Sequence, residues 1–467
     1  MTMTKRALIV LSLFAAIACH REKAASSYPG APVIVISIDT LRADHLPAFG
    51  YKDVQTPAID ALRKDSILFT NAFSHVPLTF PSHVSMLTGL LPPANKVRNN
   101  IGYTLDPSIP TIPKTLKTKG YATGAAVSAY VLRGNAGLAN AFDFYDDGIV
   151  SKANMPVGSL QRNGADTAEI AKTWISGQKG KPFFFLLHLF EPHSPYEPPE
   201  PFRSRSANPY DGEIATADDI VGKFLEQLKR DGIYDDAVII LMSDHGEGLN
   251  QHGEPEHGVF LYREDIHVPL MLKLPKGARG GETDASVVGL VDIFPTIAAL
   301  TEAQPPANLA GTSLLHHAAQ SPERHVYSES LYSRIHLGWS ELRSLAGSRY
   351  QFIQAPKPEL YDMSKDPGET HNILSDERRV YASMRDELAK FGTAVDLPTQ
   401  IDPEEAKKLT ALGYLGSSAA KPTGPLPDPK DRIGEIRELR AALALSMDRR
   451  YADAAQAFRR LLAKNPA

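Results

Sequence analysis

Thr79 stands in the stretch Pro77-Leu78-Thr79-Phe80-Pro81-Ser82-His83, with Val84, Met86 and Leu87 at helical spacing behind it and Gly89 beyond. Proline is favoured at a first helical position. The spacing therefore predicts Thr79 just before a helix N-terminus, where unpaired N–H groups and the macrodipole favour an anion. Two readings are open for Thr79: a metal-assisted nucleophile, or an ordinary capping threonine. A second group of residues argues for chemistry. Asp39-Thr40 follows the run Val33 to Ile38, and Asp244-His245-Gly246-Glu247 follows the run Ala237 to Met242. Adjacent carboxylate and imidazole groups at a strand end can both turn to one cation as the chain leaves the sheet. Carboxylate plus imidazole suits Zn²⁺ or Mn²⁺; carboxylates with few imidazoles suit Ca²⁺ or Mg²⁺. A third apolar run, Phe183 to Phe190, is interrupted only by His188 and leads into Glu191-Pro192-His193.

Positioning these residues requires a sheet. The three runs are β-branched and apolar without alternation, as strands buried on both faces of a parallel sheet are. Tyr121 to Val127 adds another strand. Thr56-Pro57 followed by Ile59, Leu62 and Ile67 reads as a capped helix, and Pro113 to Lys119 as a short helix stopped by Gly120. Asp166 to Ile175 is helical, and Ile214, Val221, Leu225 and Leu228 mark a long amphipathic helix closed by Gly232. This alternation predicts a doubly wound, mostly parallel α/β sheet with a small C-terminal subdomain. Asp39, His193 and Asp244-His245 should then converge on the carboxyl edge of the strands. Residues 131–164 and 197–209 read as the loops that set substrate specificity.

The chain has 467 residues, 43% hydrophobic and 22% charged, with a net charge of -4. That balance suits a globular protein and argues against a general nucleic-acid binder. Residues 1–19 read as an export signal: Lys5-Arg6, an apolar stretch from Ala7 to Ala18 too short to span a bilayer, and Cys19, the only cysteine. Small residues before Cys19 resemble a bacterial lipoprotein signal, which implies lipidation of Cys19, a membrane anchor and a periplasmic or envelope location. A plain secretory signal is the alternative. Residues 20–30 then form a tether, 31–395 a catalytic domain and 396–430 a Pro-rich linker. Residues 431–467 carry Tyr451, Ala454 and Phe458 at a spacing that resembles one tetratricopeptide repeat. One such helical hairpin cannot bury its own face, so it must dock on the main domain, on a partner or on a second copy.

Three stretches together resemble the sulfatase branch of the alkaline phosphatase superfamily: Asp39-Thr40-Leu41-Arg42-Ala43-Asp44, Thr79-Phe80-Pro81-Ser82-His83 and Ser243-Asp244-His245-Gly246-Glu247. His257-Gly258 with Tyr262, Asp292 to Thr296, and Glu359 to Asp362 with Asp366-Pro367 support the likeness. It implies that fold and a divalent metal, Ca²⁺, Mg²⁺, Mn²⁺ or Zn²⁺, held by Asp39, Asp244 and His245. It also implies that Thr79 occupies the nucleophile position. The family's sulfatases carry Cys or Ser there and oxidise it to formylglycine, so none is expected here. His83 stands where they carry arginine, and Thr40 where they carry a second aspartate. Other branches with a threonine nucleophile act on phosphoesters. A phosphothreonine can be hydrolysed in line by metal-activated water, whereas a sulfated threonine has no elimination route.

The resulting expectation is a phosphoester hydrolase or transferase. A sulfatase working without formylglycine and an inactive sulfatase-like scaffold are the alternatives. Thr79, His193 and Asn100 would be catalytic: His193 binding a phosphoryl oxygen or protonating the leaving group, Asn100 donating to a phosphoryl oxygen. Candidates for a second metal or for substrate contact are His257, His188, His83 and Thr40, with Glu191 and His252 beside them. For His188 a satisfied histidine in a buried strand competes. His83 either replaces the arginine or caps the helix, and Arg42 with Asp44 is expected to hold the Asp39 turn. The substrate would be a small or lipid-linked ester.

Overall fold

The computed structural model describes residues 27–149, 160–178, 180–315, 324–392, 394–395 and 424–464. The signal segment with Cys19, most of the tether and most of the linker lie outside the described residues.

The apolar runs become β1 (Val33–Ile38), β5 (Phe183–Leu189) and β6 (Val238–Met242). Around them lie β2 (Ile67–Phe73), β3 (Ala122–Ala126), β4 (Phe144–Asp146), β7 (His267–Lys273) and β8 (Thr283–Gly289). The sheet order is β4-β3-β5-β1-β6-β7-β2-β8. β1 lies between β5 and β6 and is parallel to both, with Ser37 opposite His188 on one side and Met242 on the other. β7 alone runs antiparallel to its neighbours β6 and β2. Pro269 interrupts its pattern, and the β2–β7 register shifts between Phe69 and Ala72, beside that proline. A bulge accommodates a residue with no N–H to give the ladder.

The helices are α1 (Pro57–Lys64), α2 (Thr79–Thr88), α3 (Gly164–Ser176), α4 (Pro209–Arg230) and α5 (Ile293–Thr301). Successive strand residues face opposite layers. Val33 and Val35 pack with Phe80, Val84 and Leu87 of α2 and Ile297 of α5. Ile34, Ile36 and Ile38 pack with α1, α3 and α4 through Ile59, Ala171 and Ile214. Each such aliphatic side chain contributes about 1.5–3 kcal/mol by leaving water. The sheet is doubly wound, as its alternation with helices implied.

Two local expectations need correction. Ile67 does not continue α1; the helix stops at Lys64 and Ile67 opens β2. Thr56 makes no cap bond. The Asp218 carboxylate of α4 accepts from Ala58 N and Ile59 N at 3.1 and 2.8 Å and caps α1 from a distance.

The C-terminal subdomain is an antiparallel sheet, β12-β11-β10-β9, made of β9 (Val326–Ser330), β10 (Leu342–Ala346), β11 (Tyr350–Gln354) and β12 (Glu359–Asp362). Helix α6 (Arg378–Leu388) covers it through Met384 and Leu388. The tail forms α7 (Gly434–Met447) and α8 (Tyr451–Lys464). Ile433 and Ile436 pack with Val259, Phe260 and Trp339. Lys357 pairs with Asp431, and Arg440 with Glu256. The hairpin therefore docks on the main domain through its first helix. Among the described residues no helix is long and apolar enough to cross a membrane.

Candidate active site

Asp39 and Asp244 leave the carboxyl ends of β1 and β6, which are neighbours, so both carboxylates reach one point. Both are fully buried, and among the described residues none of their four oxygens has a hydrogen-bond partner. His245 Nδ1 lies 2.9 Å from Gly246 O. A carbonyl only accepts, so Nδ1 carries the proton and Nε2 turns its lone pair inward. From Nε2, Asp39 Oδ1 is 3.5 Å away, Asp244 Oδ2 3.6 Å and Thr79 Oγ1 3.3 Å. These are too long for strong hydrogen bonds. Donors about 2.1 Å from one ion at tetrahedral angles lie about 3.4 Å apart. Orphaned carboxylates, a lone-pair imidazole and this spacing fit a divalent cation held by Asp39, Asp244 and His245, whose ligand atoms lie within 4.8 Å of one another.

The electrostatics agree. Burial, then mutual repulsion, pushes the Asp244 carboxyl up to about 7. Burial likewise raises Asp39 to about 7, against the pull of His245. Two carboxylates at such cost are characteristic of a site that a cation completes. Burial lowers His83, His188 and His245 to about 4 and His193 and His257 to about 3. All five imidazoles are thus neutral at pH 7.

Thr79 is not before the helix. It is the first residue of α2, with Leu78 at the N-cap, and Pro81 sits two residues further in. Proline in the first turn loses no bond, because those N–H groups are unpaired anyway, so its position marks the start only to within a turn. The Thr79 hydroxyl lies 3.3 Å from His245 Nε2, at the ligand-to-ligand spacing of the cation candidates. Thr79 therefore does not cap the helix, and its hydroxyl stands beside the cation candidates. Asn100 supplies the cap: its Oδ1 accepts from Phe80 N at 2.8 Å, and its buried Nδ2 has no partner among the described residues. That leaves one amide N–H₂ uncommitted at the start of α2. Arg98 anchors this loop through a buried ion pair to Glu329 of β9.

His83 neither replaces the arginine's charge nor caps. Its Nδ1 bonds Thr79 O at 2.7 Å and its Nε2 bonds Ser37 Oγ at 3.0 Å, pinning α2 to β1. His188 is not a satisfied core histidine: among the described residues both ring nitrogens lack hydrogen-bond partners, and Nε2 lies 3.4 Å from Asp39 Oδ2. Thr40 adopts φ 56°, an uncommon conformation for a β-branched residue, and its buried hydroxyl has no partner. Tyr210 of α4 holds that turn, donating to Thr40 O and accepting from Arg42 N. Arg42 pairs with Asp44, as expected, and also donates to Glu247 O, joining the Asp39 turn to the Asp244 turn.

His257 and His193 flank the site without joining the cation group. The His257 ring is 4.5 Å from that of His245 and 5.0 Å from that of His193. His257 Nδ1 is bound by buried Glu247 at 2.9 Å. His193 Nδ1 bonds Ser194 O, so its Nε2 is an acceptor; donating to a leaving group requires proton uptake, which a bound anion favours. Glu191 accepts from Gly164 N at the start of α3, and His252 stacks on Tyr262 and pairs with Glu264; neither belongs to the cation groups found among the described residues. Sequence reasoning missed Tyr210 and Ser82, whose hydroxyl donates to Asp244 O at 2.7 Å. Ser82 sits within the nucleophile stretch, which was the only signal for it. Gly246 is required by close approach: a Cβ there would meet Glu264 O at 1.9 Å.

The sulfatase profile matches residues 32–303, and the C-terminal profile of N-sulphoglucosamine sulphohydrolase matches 255–393. The chain belongs to the sulfatase family. Arylsulfatase K of Xenopus laevis is 24% identical, over 84% of this chain and 88% of its own length. An ulvan-active sulfatase of Formosa agariphila is 23% identical, over 82% and 81%. Among solved structures, a phosphonate monoester hydrolase of Agrobacterium radiobacter superposes with TM-score 0.64 at 21% identity, over 77% of this chain and 95% of its own. That likeness is one of fold. This sulfatase-family chain is thus a hydrolase of the kind that acts on sulfate or phosphate esters, and its donor set fits the divalent metal its family generally uses.

Proposed function

We propose that this sulfatase-family enzyme is a metal-dependent phosphoester hydrolase or transferase, acting on mono- or diesters, with Thr79 as nucleophile. The observation that carries the reading is the Thr79 hydroxyl, at the start of α2, 3.3 Å from His245 Nε2 and beside two carboxylates without hydrogen-bond partners among the described residues. A cation held by Asp39, Asp244 and His245 supplies the positive charge that lowers the pKa of the Thr79 hydroxyl and of the later attacking water. Thr79 Oγ then bonds phosphorus while the bond to the departing alcohol oxygen breaks, leaving phosphothreonine. Water attacking the same phosphorus restores Thr79. The α2 N-terminus and Asn100 Nδ2 receive the developing negative charge. His193 and His257 line the leaving-group side.

Threonine favours phosphorus, because it cannot form formylglycine and a sulfated threonine has no elimination exit. A formylglycine-independent sulfatase is the second reading, favoured by the sulfatase names of the curated relatives. An inert scaffold is disfavoured by the retention of the whole cluster. The enzyme is placed outside the cytoplasm, exported and anchored through Cys19, acting on a small or lipid-linked ester and not on nucleic acid. The test is side-by-side turnover of bis-aryl phosphate, aryl phosphate and aryl sulfate by the Mn²⁺-, Zn²⁺-, Ca²⁺- or Mg²⁺-loaded protein and by Thr79→Ala. Thr79-dependent phosphate turnover, with phosphothreonine trapped by mass spectrometry, is expected. Faster sulfate turnover would sink the phosphorus assignment.

A further inference from the structure

His188 is the one polar residue in an otherwise apolar strand that runs through the middle of the sheet. It is fully buried, and neither ring nitrogen has a hydrogen-bond partner among the described residues. An imidazole left this way costs stability, and Leu187 and Leu189 beside it show what the strand otherwise prefers. Its surroundings are one-sided in chemistry. Nε2 lies 3.4 Å from Asp39 Oδ2, the same ligand-to-ligand spacing found at His245. His188, His83 and Asp244 also place ligand atoms within 4.8 Å of one another. Within that trio His83 has already spent both nitrogens, on Thr79 O and Ser37 Oγ. Of the two imidazoles, only His188 has nitrogens without a hydrogen-bond partner among the described residues. Asp39 is therefore flanked by two imidazoles, His245 on Oδ1 and His188 on Oδ2.

We infer that His188 supplies a second imidazole ligand to the cation centre. This rests on the proposed presence of a cation, and it adds a consequence for which cation. Two imidazoles with two carboxylates favour Zn²⁺ or Mn²⁺ over Ca²⁺ or Mg²⁺, since hard oxygen-seeking ions gain little from nitrogen donors. A register pair builds the arrangement: Ser37 of β1 faces His188 of β5, so the histidine sits level with a position two residues before Asp39, on the same face of the sheet.

The test uses the full chain, stripped with chelator and reloaded with Zn²⁺. X-ray absorption counts imidazoles per zinc, metal analysis gives zinc per chain, and their product is imidazoles per chain. Competition titration gives affinities for Zn²⁺ and Mg²⁺. Wild type should bind two imidazoles per chain, and His188→Gln, folded by circular dichroism, should bind one. Zn²⁺ affinity should fall at least on the order of 10- to 100-fold, the loss typical of removing even an outer partner of a metal ligand. Mg²⁺ affinity should move far less. One imidazole per chain in wild type overturns the inference whether or not the variant folds, as does an unchanged count in folded His188→Gln. Wild type that binds no cation overturns the inference and the proposed function together, whereas cation bound with one imidazole overturns the inference alone.

Discussion

Asn100 caps α2 with one end of its amide and is proposed as a donor to substrate with the other, and a substitution can separate the two. Phe80 N can only donate, so the oxygen it meets at 2.8 Å is Oδ1 and the unpartnered end is the N–H₂. Asn100→Asp keeps an acceptor of the same shape for Phe80 N and adds negative charge at a helix N-terminus, where it is favourable. Its stability should stay within about 1 kcal/mol of wild type. The donor, however, becomes an oxygen that repels a phosphoryl or sulfuryl group. Loss of one donor of this kind costs about 10²- to 10³-fold in turnover, about 2.7–4 kcal/mol. Asn100→Ala should lose that turnover and, with the cap gone, a further ~0.5–2 kcal/mol of stability. The assay is kcat/KM on aryl phosphate and bis-aryl phosphate, paired with thermal melts of the metal-loaded proteins. Turnover by Asn100→Asp within threefold of wild type would refute Nδ2 as a donor. Equal destabilisation of the two variants would refute the cap.

Thr79→Ala should abolish turnover while Thr79→Ser retains part of it, measured as kcat on the best ester; equal activity of Ala and wild type would remove Thr79 from the chemistry. Chelation should lower Tm, because a ligand at 100 times its Kd stabilises by about 2.7 kcal/mol. That difference should depend on pH. Burial holds metal-free Asp39 and Asp244 at about 7, above their ordinary 3.8, so the folded protein binds more protons than the unfolded chain between those values. Metal-free stability therefore falls as pH rises through that window, whereas cation binding, which needs the ionised pair, strengthens. Melts with and without metal should diverge as pH increases, and convergence would contradict the assignment. Asp218→Ala should uncap α1 at a cost of about 1–2 kcal/mol by urea denaturation, with kcat unchanged.

Continuous apolar runs were enough to place β1, β5 and β6, because strands buried on both faces have no reason to alternate. β2 escaped, since Thr70 and Asn71 break its pattern and Ile67 happens to continue the spacing of α1. β7 escaped because Pro269 argues against a central strand until a bulge is known to absorb it. The same division runs through the site. Asp39, Thr79, Asp244 and His245 were legible because each occupies a strand end or helix start, where local chain geometry alone aims the side chain. The sequence by itself thus determined that Asp39, Thr79, Asp244 and His245 meet, and the edge on which they do so. Only the tertiary structure decided what His83, His188 and Asn100 do. Their roles depend on which atom of a neighbouring element already occupies each nitrogen or oxygen. His83 and His188 look alike in one dimension. The placement of β1 between α2 and β5 engages both nitrogens of the first and leaves those of the second free beside Asp39.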